Sequence, residues 1–237
     1  MRIKIIHNPQ KHWTEELAGQ VSAFLCDKDH EIVTKDANYT ICIGGDGTIL
    51  YANHRNELSG RIIGIGSKSS YICQLTRDSW EESLPDFILK KSSVIIMGLN
   101  ASLRGNTHTA INDFVIHTHD YRVLEIEVTI NRKTSSFRGD GLIISTPLGS
   151  ASYAYSAGGE ALKPEERKIS IVPICPYKRT FTPTLLPENE HIEVKVGREC
   201  AFIVDGIFVR HLKSEEVITM EKGEDLLFVE GVGKYKR

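Results

Sequence analysis

The chain has 237 residues, 41% of them hydrophobic and 25% charged, enough for one large domain or two modest ones with a real core and no need of covalent staples. Lys and Arg number 29 against 31 Asp and Glu, a formal charge of -2, which excludes a general electrostatic attraction for nucleic acid or an anionic membrane. The five cysteines, Cys26, Cys42, Cys73, Cys175 and Cys200, are scattered with no C-x-x-C spacing and read as buried, reduced thiols of a reducing compartment.

The opening MRIKIIHNPQ lacks the apolar core and small-residue cleavage site of an export signal, so a cytoplasmic protein is expected. Arg2 to Ile6 reads as a first strand. Trp13, Leu17, Val21 and Leu25 recur every four residues among polar neighbours, as on one face of a helix. An apolar run, Tyr39 to Ile43, then enters a Gly-rich turn, followed by a helix from about Thr48 and a strand at Arg61 to Ile65. Alternation of this kind builds a parallel sheet with crossover helices.

Beyond Ser92 the texture changes. β-branched runs follow one another with little helix between them, which predicts a mainly antiparallel all-β unit. Phe114 to His117 reads as one strand. In Val123 to Ile130, Leu124, Ile126, Val128 and Ile130 alternate with Glu125, Glu127 and Thr129, giving one apolar and one wet face, and Asn131-Arg132-Lys133 supplies a hairpin turn. The uncharged stretch Gly141 to Gly159 carries too many Ser and Gly residues, and Pro147, to span a bilayer. The domain boundary falls near Lys90 to Ser93, so residues 1–92 form the α/β domain and 93–217 the β domain. Lys234 to Arg237 reads as a solvated tail. The nine histidines form no ligand cluster by spacing: His117 and His119 share a strand face, but no third ligand is evident.

The strongest local signal is Ile41-Cys42-Ile43-Gly44-Gly45-Asp46-Gly47-Thr48-Ile49-Leu50. Glycines at a strand-to-helix junction let the backbone approach an anion, and free N–H groups with the helix dipole favour phosphate. Asp46 is the anomaly, since a carboxylate beside a phosphate cradle must bind a metal, hold a hydroxyl or take its proton. The plain alternative is a tight turn capped by Asp46 and Thr48. A crevice at the carboxyl ends of the strands, where this turn sits, favours the functional reading.

Gly44-Gly45-Asp46-Gly47-Thr48 resembles the signature shared by NAD kinases, lipid kinases and, more loosely, phosphofructokinases. A second block narrows the choice. Arg138-Gly139-Asp140-Gly141, running through Thr146-Pro147-Leu148-Gly149-Ser150-Ala151-Ser152-Tyr153-Ala154-Tyr155-Ser156 to Gly159, resembles the long block of the NAD kinase family. Asn112-Asp113, Val172 to Pro176 and Val204-Asp205-Gly206 resemble further landmarks of that family.

The resemblance implies a Rossmann-like α/β domain and a C-terminal antiparallel β-sandwich, with the segment from about 218 to 237 returning to the first domain. It implies NAD bound between the domains and across a subunit contact, in a homodimer or homotetramer. The reaction implied is phosphoryl transfer from ATP or polyphosphate to the 2′-hydroxyl of NAD, with Mg²⁺ or another divalent cation. Asp46 would act as base toward that hydroxyl. Gly44, Gly45, Gly47 and Thr48 would cradle donor phosphates, and Asn112 and Asp113 would grip the adenylate half. Thr146 would support the pocket, and Ala151, Ser152, Tyr153, Ala154, Tyr155 and Ser156 would line it, with Tyr155 the one expected to pack into the core. Arg138 and Asp140 would reach the nicotinamide half, or else form a surface ion pair.

The chain departs from the family's pattern after Ile65, where Gly66-Ser67-Lys68-Ser69-Ser70-Tyr71-Ile72-Cys73-Gln74 replaces an Asn and a Gly-Phe-Leu-Thr segment. Tyr71 is a candidate for the missing ring and Lys68 for a phosphate contact. Asp113 stands for Glu, Leu148 for Thr, and Ile207 where Gln often follows. A lipid kinase is the competing enzyme, but neither a membrane-facing amphipathic segment nor a basic stripe supports it. A nucleotide-binding regulator without turnover is the competing non-enzyme, against which Asp46 and Asp140 argue.

Overall fold

The computed structural model describes residues 1–89 and 92–233, so the tail predicted at Lys234 to Arg237 lies outside the described residues. The chain divides into two compact units, one made of Met1–Ile96 with the residues from Leu226 onward, the other of Met97–Asp225.

In the first unit, β1 (Arg2–His7), α1 (His12–Cys26), β2 (Glu31–Ile32), β3 (Tyr39–Ile43), α2 (Asp46–His54), β4 (Arg61–Gly66), β5 (Leu75–Thr76) and α3 (Trp80–Leu89) follow in order. β2, β1, β3 and β4 lie side by side and all pair in parallel. β3 is buried at every position and β4 at all but its first, as expected of strands covered on both faces. The four-residue repeat of α1 buries Leu17, Val21 and Leu25 against Ile3, Ile41 and Ile63 in one core. α3 carries Pro85 in its interior yet buries Trp80, Leu84 and Ile88, a second four-residue repeat. α2 begins at Asp46, two residues earlier than expected.

The second unit holds β6 (Ser93–Leu103, which enters from the first unit), β7 (Asn106–Ala110), β8 (Asp113–His117), β9 (Leu124–Ile130), β10 (Lys133–Gly139), β11 (Gly141–Ser145), the single turn α4 (Tyr153–Ser156), β12 (Lys168–Ile174), β13 (Thr184–Pro187), β14 (Ile192–Val196), β15 (Cys200–Val204), β16 (Ile207–Leu212) and β17 (Val217–Val229). One layer runs β10-β9-β14-β17, with β6 and β7 beyond, and the other β13-β12-β11-β8-β15-β16. The registered pairings in this unit are antiparallel. The layers share a core of inward residues such as Leu99, Ile126 and Val194 from the first and Phe114, Leu142 and Phe202 from the second, a β-sandwich. Ile130 pairs with Lys133, and Asn131 and Arg132 between them take φ of 50° and 64°, the two-residue primed turn that suits strand twist.

β17 belongs to both units. Its first residues pair with β14, and its last, Leu227 and Phe228, pair in parallel with Arg61 and Ile62 of β4. All five cysteines are free thiols, but only Cys42, Cys73 and Cys200 are buried. The expectation that all are interior fails for Cys26, the last residue of α1, and for Cys175, just beyond β12. Among the described residues no helix is long and apolar enough to cross a membrane.

Candidate functional site

The Gly-rich turn joins the end of β3 to the start of α2. Gly44 and Gly45 take φ of 145° and 111°, a region that side-chain-bearing residues rarely enter. A Cβ on Gly44 would also collide with Thr48 Oγ1 and crowd Asn8 Cβ, so the turn needs glycine there for both conformation and space. Gly44 N donates to Ile65 O at 2.9 Å, and Lys11 Nζ donates to Gly44 O.

Asp46 projects from the first residue of α2 into the segment that follows β4. Its Oδ2 accepts from Tyr71 N at 2.7 Å, and its Oδ1 accepts from Ile72 N at 2.9 Å and Cys73 N at 3.1 Å. The segment that departs from the family's pattern is thus fastened to Asp46 by three successive backbone donors. Burial, followed by the Asp46 charge, pushes the Cys73 thiol well up from its ordinary value. Lys68 is exposed and Tyr71 half-buried.

Beside the turn lies a cavity of about 480 Å³ lined by residues that include His7, Asn8, Gly47, Thr48, Tyr51 and Arg55. Thr48 is 5% exposed, and its hydroxyl and the buried Nδ1 of His7 have no hydrogen-bond partner. A buried hydroxyl without a partner is costly, and that of Thr48 lies against Gly44 in the turn. Lys11, Asn8, His7 and Arg55 were not singled out by the sequence reading. Their signal was the pairing of neighbouring strands: His7 of β1 sits beside Ile43 of β3, so whatever follows β1 lies next to the Gly-rich turn.

The second unit gathers the other candidates. Asp205, in the turn between β15 and β16, accepts from Ile111 N at 2.9 Å, Asn112 N at 2.7 Å and Asp113 N at 3.1 Å. Thr146 is fully buried; its hydroxyl donates to Ile111 O at 2.6 Å and accepts from Gly149 N at 3.0 Å. Gly149 packs against the backbone of Asn112 so tightly that a Cβ would overlap it. Through these contacts the loop after β11 is moulded onto residues 111–113. Asn112 Oδ1 is buried without a partner.

Asp113 is 5% exposed, and burial, followed by the charge of Asp205, pushes its carboxyl up to about 7. The Tyr153 hydroxyl is raised by burial first and then by the charges of Cys175, Asp113 and Asp140. Cys175 hydrogen-bonds the Asp140 carboxylate, and that bond is the main reason its thiol is raised. Ala154 is fully buried against Ile143 and Val172, so its methyl faces the core and only its backbone is left for a ligand. Ala151 is half-buried, and Ser152 and Ser156 are exposed.

Two expectations are corrected here. Tyr155 does not pack into the core: it is 60% exposed, more than Tyr153 at 40%, because in the single turn of α4 the inward position goes to Ala154. Arg138 and Asp140 do not form an ion pair among the described residues. The Arg138 guanidinium lies instead over the Tyr177 ring, 5.0 Å from its centroid. The expectation of no histidine cluster is also revised, since His119, Glu199 and His211 come together on the surface.

Residues 111–229 match the family model described as the ATP-NAD kinase C-terminal domain. The NAD kinase of Methanosphaera stadtmanae is 29% identical, with 95% of this chain and 92% of that protein aligned. The NAD kinase of Geobacter sp. strain M21 is 30% identical over 80% of this chain and 71% of its own length. The crystal structure of an NAD kinase from Archaeoglobus fulgidus in complex with ATP superposes with a TM-score of 0.84 at 20% identity, over 98% of this chain and 94% of that one.

Proposed function

We propose, since this chain belongs to the NAD kinase family, a division of its phosphoryl transfer among named residues, with Asp46 as the group that orients the attacking hydroxyl. The reaction moves the terminal phosphoryl group of ATP to the 2′-hydroxyl of the adenosine ribose of NAD, giving NADP, ADP and a proton. A carboxylate offers about four acceptor directions, and three of those of Asp46 are taken by backbone N–H groups. The Cys73 thiol also hydrogen-bonds this carboxylate, and in this reading the attacking hydroxyl takes the place of that thiol. A loose phosphoryl-transfer transition state needs the proton removed only late, so fixing the nucleophile contributes more than strong basicity.

Gly44, Gly45, Gly47 and Thr48 cradle the donor phosphates in this reading, and the cavity beside them is the observation that carries it. Its size suits a nucleotide-sized guest, its wall holds Arg55 paired with Glu57, and the start of α2 favours an anion. Lys11, bonded to Gly44 O, adds a second positive charge at the turn. A divalent cation such as Mg²⁺ binds through substrate phosphates, waters and one or two protein oxygens, and the Thr48 hydroxyl fits that small protein share. When bound, such an ion spreads charge over the phosphate oxygens.

Asn112 and Asp113 hold the adenylate half, with the buried Asn112 Oδ1 free to accept from the base. Asp113, close to half-protonated near neutral pH, can either donate to or accept from a ribose hydroxyl. Ala151, Ser152, Tyr153, Tyr155, Ser156 and the Ala154 backbone line the dinucleotide site, Thr146 supports it, and Arg138 and Asp140 serve the nicotinamide half. A cytoplasmic setting agrees with the five free thiols. The open outer edge of β10 supports a homodimer or homotetramer.

The test supplies purified protein with NAD, Mg²⁺ and either ATP or polyphosphate and follows NADP. In Thr48→Val the KM for ATP should rise about tenfold, the cost of one lost hydrogen bond to a charged group, with the KM for NAD unchanged. A change in the NAD term alone would remove Thr48 from the donor side.

A further inference from the structure

We propose that His119, Glu199 and His211 form a binding site for a divalent ion of the zinc class, with one coordination position left open. The site is independent of the nucleotide reading above, and strand register creates it. Ala201 of β15 pairs with His117 of β8 on one side and with His211 of β16 on the other. His119 lies two residues beyond the end of β8 and Glu199 one residue ahead of β15, and the two side chains meet there. His211 faces the same side of the sheet as its register partner Ala201, and the ligand groups of His119 and Glu199 come to it there. That side is opposite the sandwich core, which takes Phe114, Ile116, Phe202 and Leu212.

The ligand atoms of the three side chains already lie within 4.8 Å of one another, and His119 Nε2 stands 3.7 Å from Glu199 Oε1. Tetrahedral zinc with bonds of about 2.0–2.2 Å needs its ligands about 3.3–3.5 Å apart. Exposed side chains close the remaining gap by small rotations about their χ angles.

The backbone that carries them is already tied. Arg198 pairs with Asp120, locking the residue before Glu199 to the residue after His119. Thr118 Oγ1 bonds Asp120 Oδ1 at 3.1 Å and Arg122 O at 2.7 Å. On the far side the Phe208 ring lies 5.0 Å from the His211 ring and limits its swing. Two imidazoles with one carboxylate select zinc-like ions, whereas Mg²⁺ prefers oxygen ligands and retains its waters. The ion that accompanies ATP therefore does not compete here.

Zinc titrated alone into the purified full chain should bind one equivalent with a Kd of about 1 µM or tighter, and Co²⁺ in its place should show the strong visible bands of a four-coordinate ion. His119→Ala and His211→Ala should each weaken binding by at least about 100-fold, more than loss of an outer partner causes, and Glu199→Gln should weaken it less. His191→Ala, which alters an exposed histidine paired with Glu221 elsewhere, should leave binding unchanged. Zinc should raise the melting temperature of wild type by several degrees and of the double histidine variant by none. NADP formation with Mg²⁺ and no zinc shows that each variant is folded. Absence of a one-equivalent site in wild type, or equal zinc affinity in wild type and the folded double variant, would overturn the assignment.

Discussion

Asp46 and Asp205 are held by the same device in different units. Each carboxylate accepts three successive backbone N–H groups, Tyr71 to Cys73 for Asp46 and Ile111 to Asp113 for Asp205. Their surroundings differ. Asp205 is 7% exposed and has a second carboxyl, Asp113, close enough to be shifted by its charge. Asp46 is half-buried and opens the helix whose next two residues line a cavity. A shared local geometry therefore does not fix a role: Asp205 is buried beside a second carboxyl, whereas Asp46 is less buried and opens the helix beside the cavity, which is why the proposal gives the chemistry to Asp46.

The comparison is most directly broken at Asp46. Asp46→Asn should lower kcat by about 10²–10⁴ while NAD still binds, measured by steady-state kinetics beside calorimetric titration. A variant as fast as wild type would make both aspartates mere fastenings. Asp205→Ala should show the opposite pattern: three donors lose their partner, costing about 3 kcal/mol or more of stability, read from urea unfolding, while kcat of the remaining folded protein changes little.

Asp113 sharpens the contrast through pH. Its folded-state value, about 7, lies above the ordinary 3.8, so between those pH values the folded state binds more protons than the unfolded one. Stability from this group is full below about pH 4, falls as pH rises toward 7, and is flat above, with a span on the order of a few kcal/mol. Asp113→Asn should flatten that stretch of the denaturation profile; an unchanged slope would assign it to another group. Gly149→Ala should have the smallest effect, about 1–3 kcal/mol from overpacking against Asn112, seen as a lower melting temperature and a raised KM for NAD with the KM for ATP unchanged.

Much of this contrast was legible beforehand because Asp46 stands in a run whose glycines announce a strained turn. The α/β and all-β halves were legible from periodicity, since Leu17, Val21 and Leu25 repeat at helical spacing and Leu124, Ile126 and Val128 alternate. What escaped depends on long-range register. Asp205 is 94 residues from Ile111, and no local pattern reveals a side chain that serves so distant a backbone. His119, Glu199 and His211 meet only because β8, β15 and β16 are neighbours. The α3 helix escaped for a local reason: Pro85 interrupts the stretch, and an interior proline ordinarily disfavours helix by about 3 kcal/mol, which hid the repeat of Trp80, Leu84 and Ile88. Tyr155 was misjudged because an aromatic ring suggests burial, and in a helix of one turn the inward place went to the smaller Ala154.

The shared strand β17 has a consequence for how the polypeptide folds as it is made. Translation delivers Met1–Ile96 first, yet the sheet of that unit takes a strand from Leu227 and Phe228, and Phe228 and Val229 are buried. Until those residues leave the ribosome, β4 keeps a bare flank at Arg61 and Ile62, while Met97–Asp225 can already close its own core. The sheet of Met1–Ile96 is thus completed only after Met97–Asp225 has been made, and a chain truncated ahead of Leu226 would carry that sheet without its last strand.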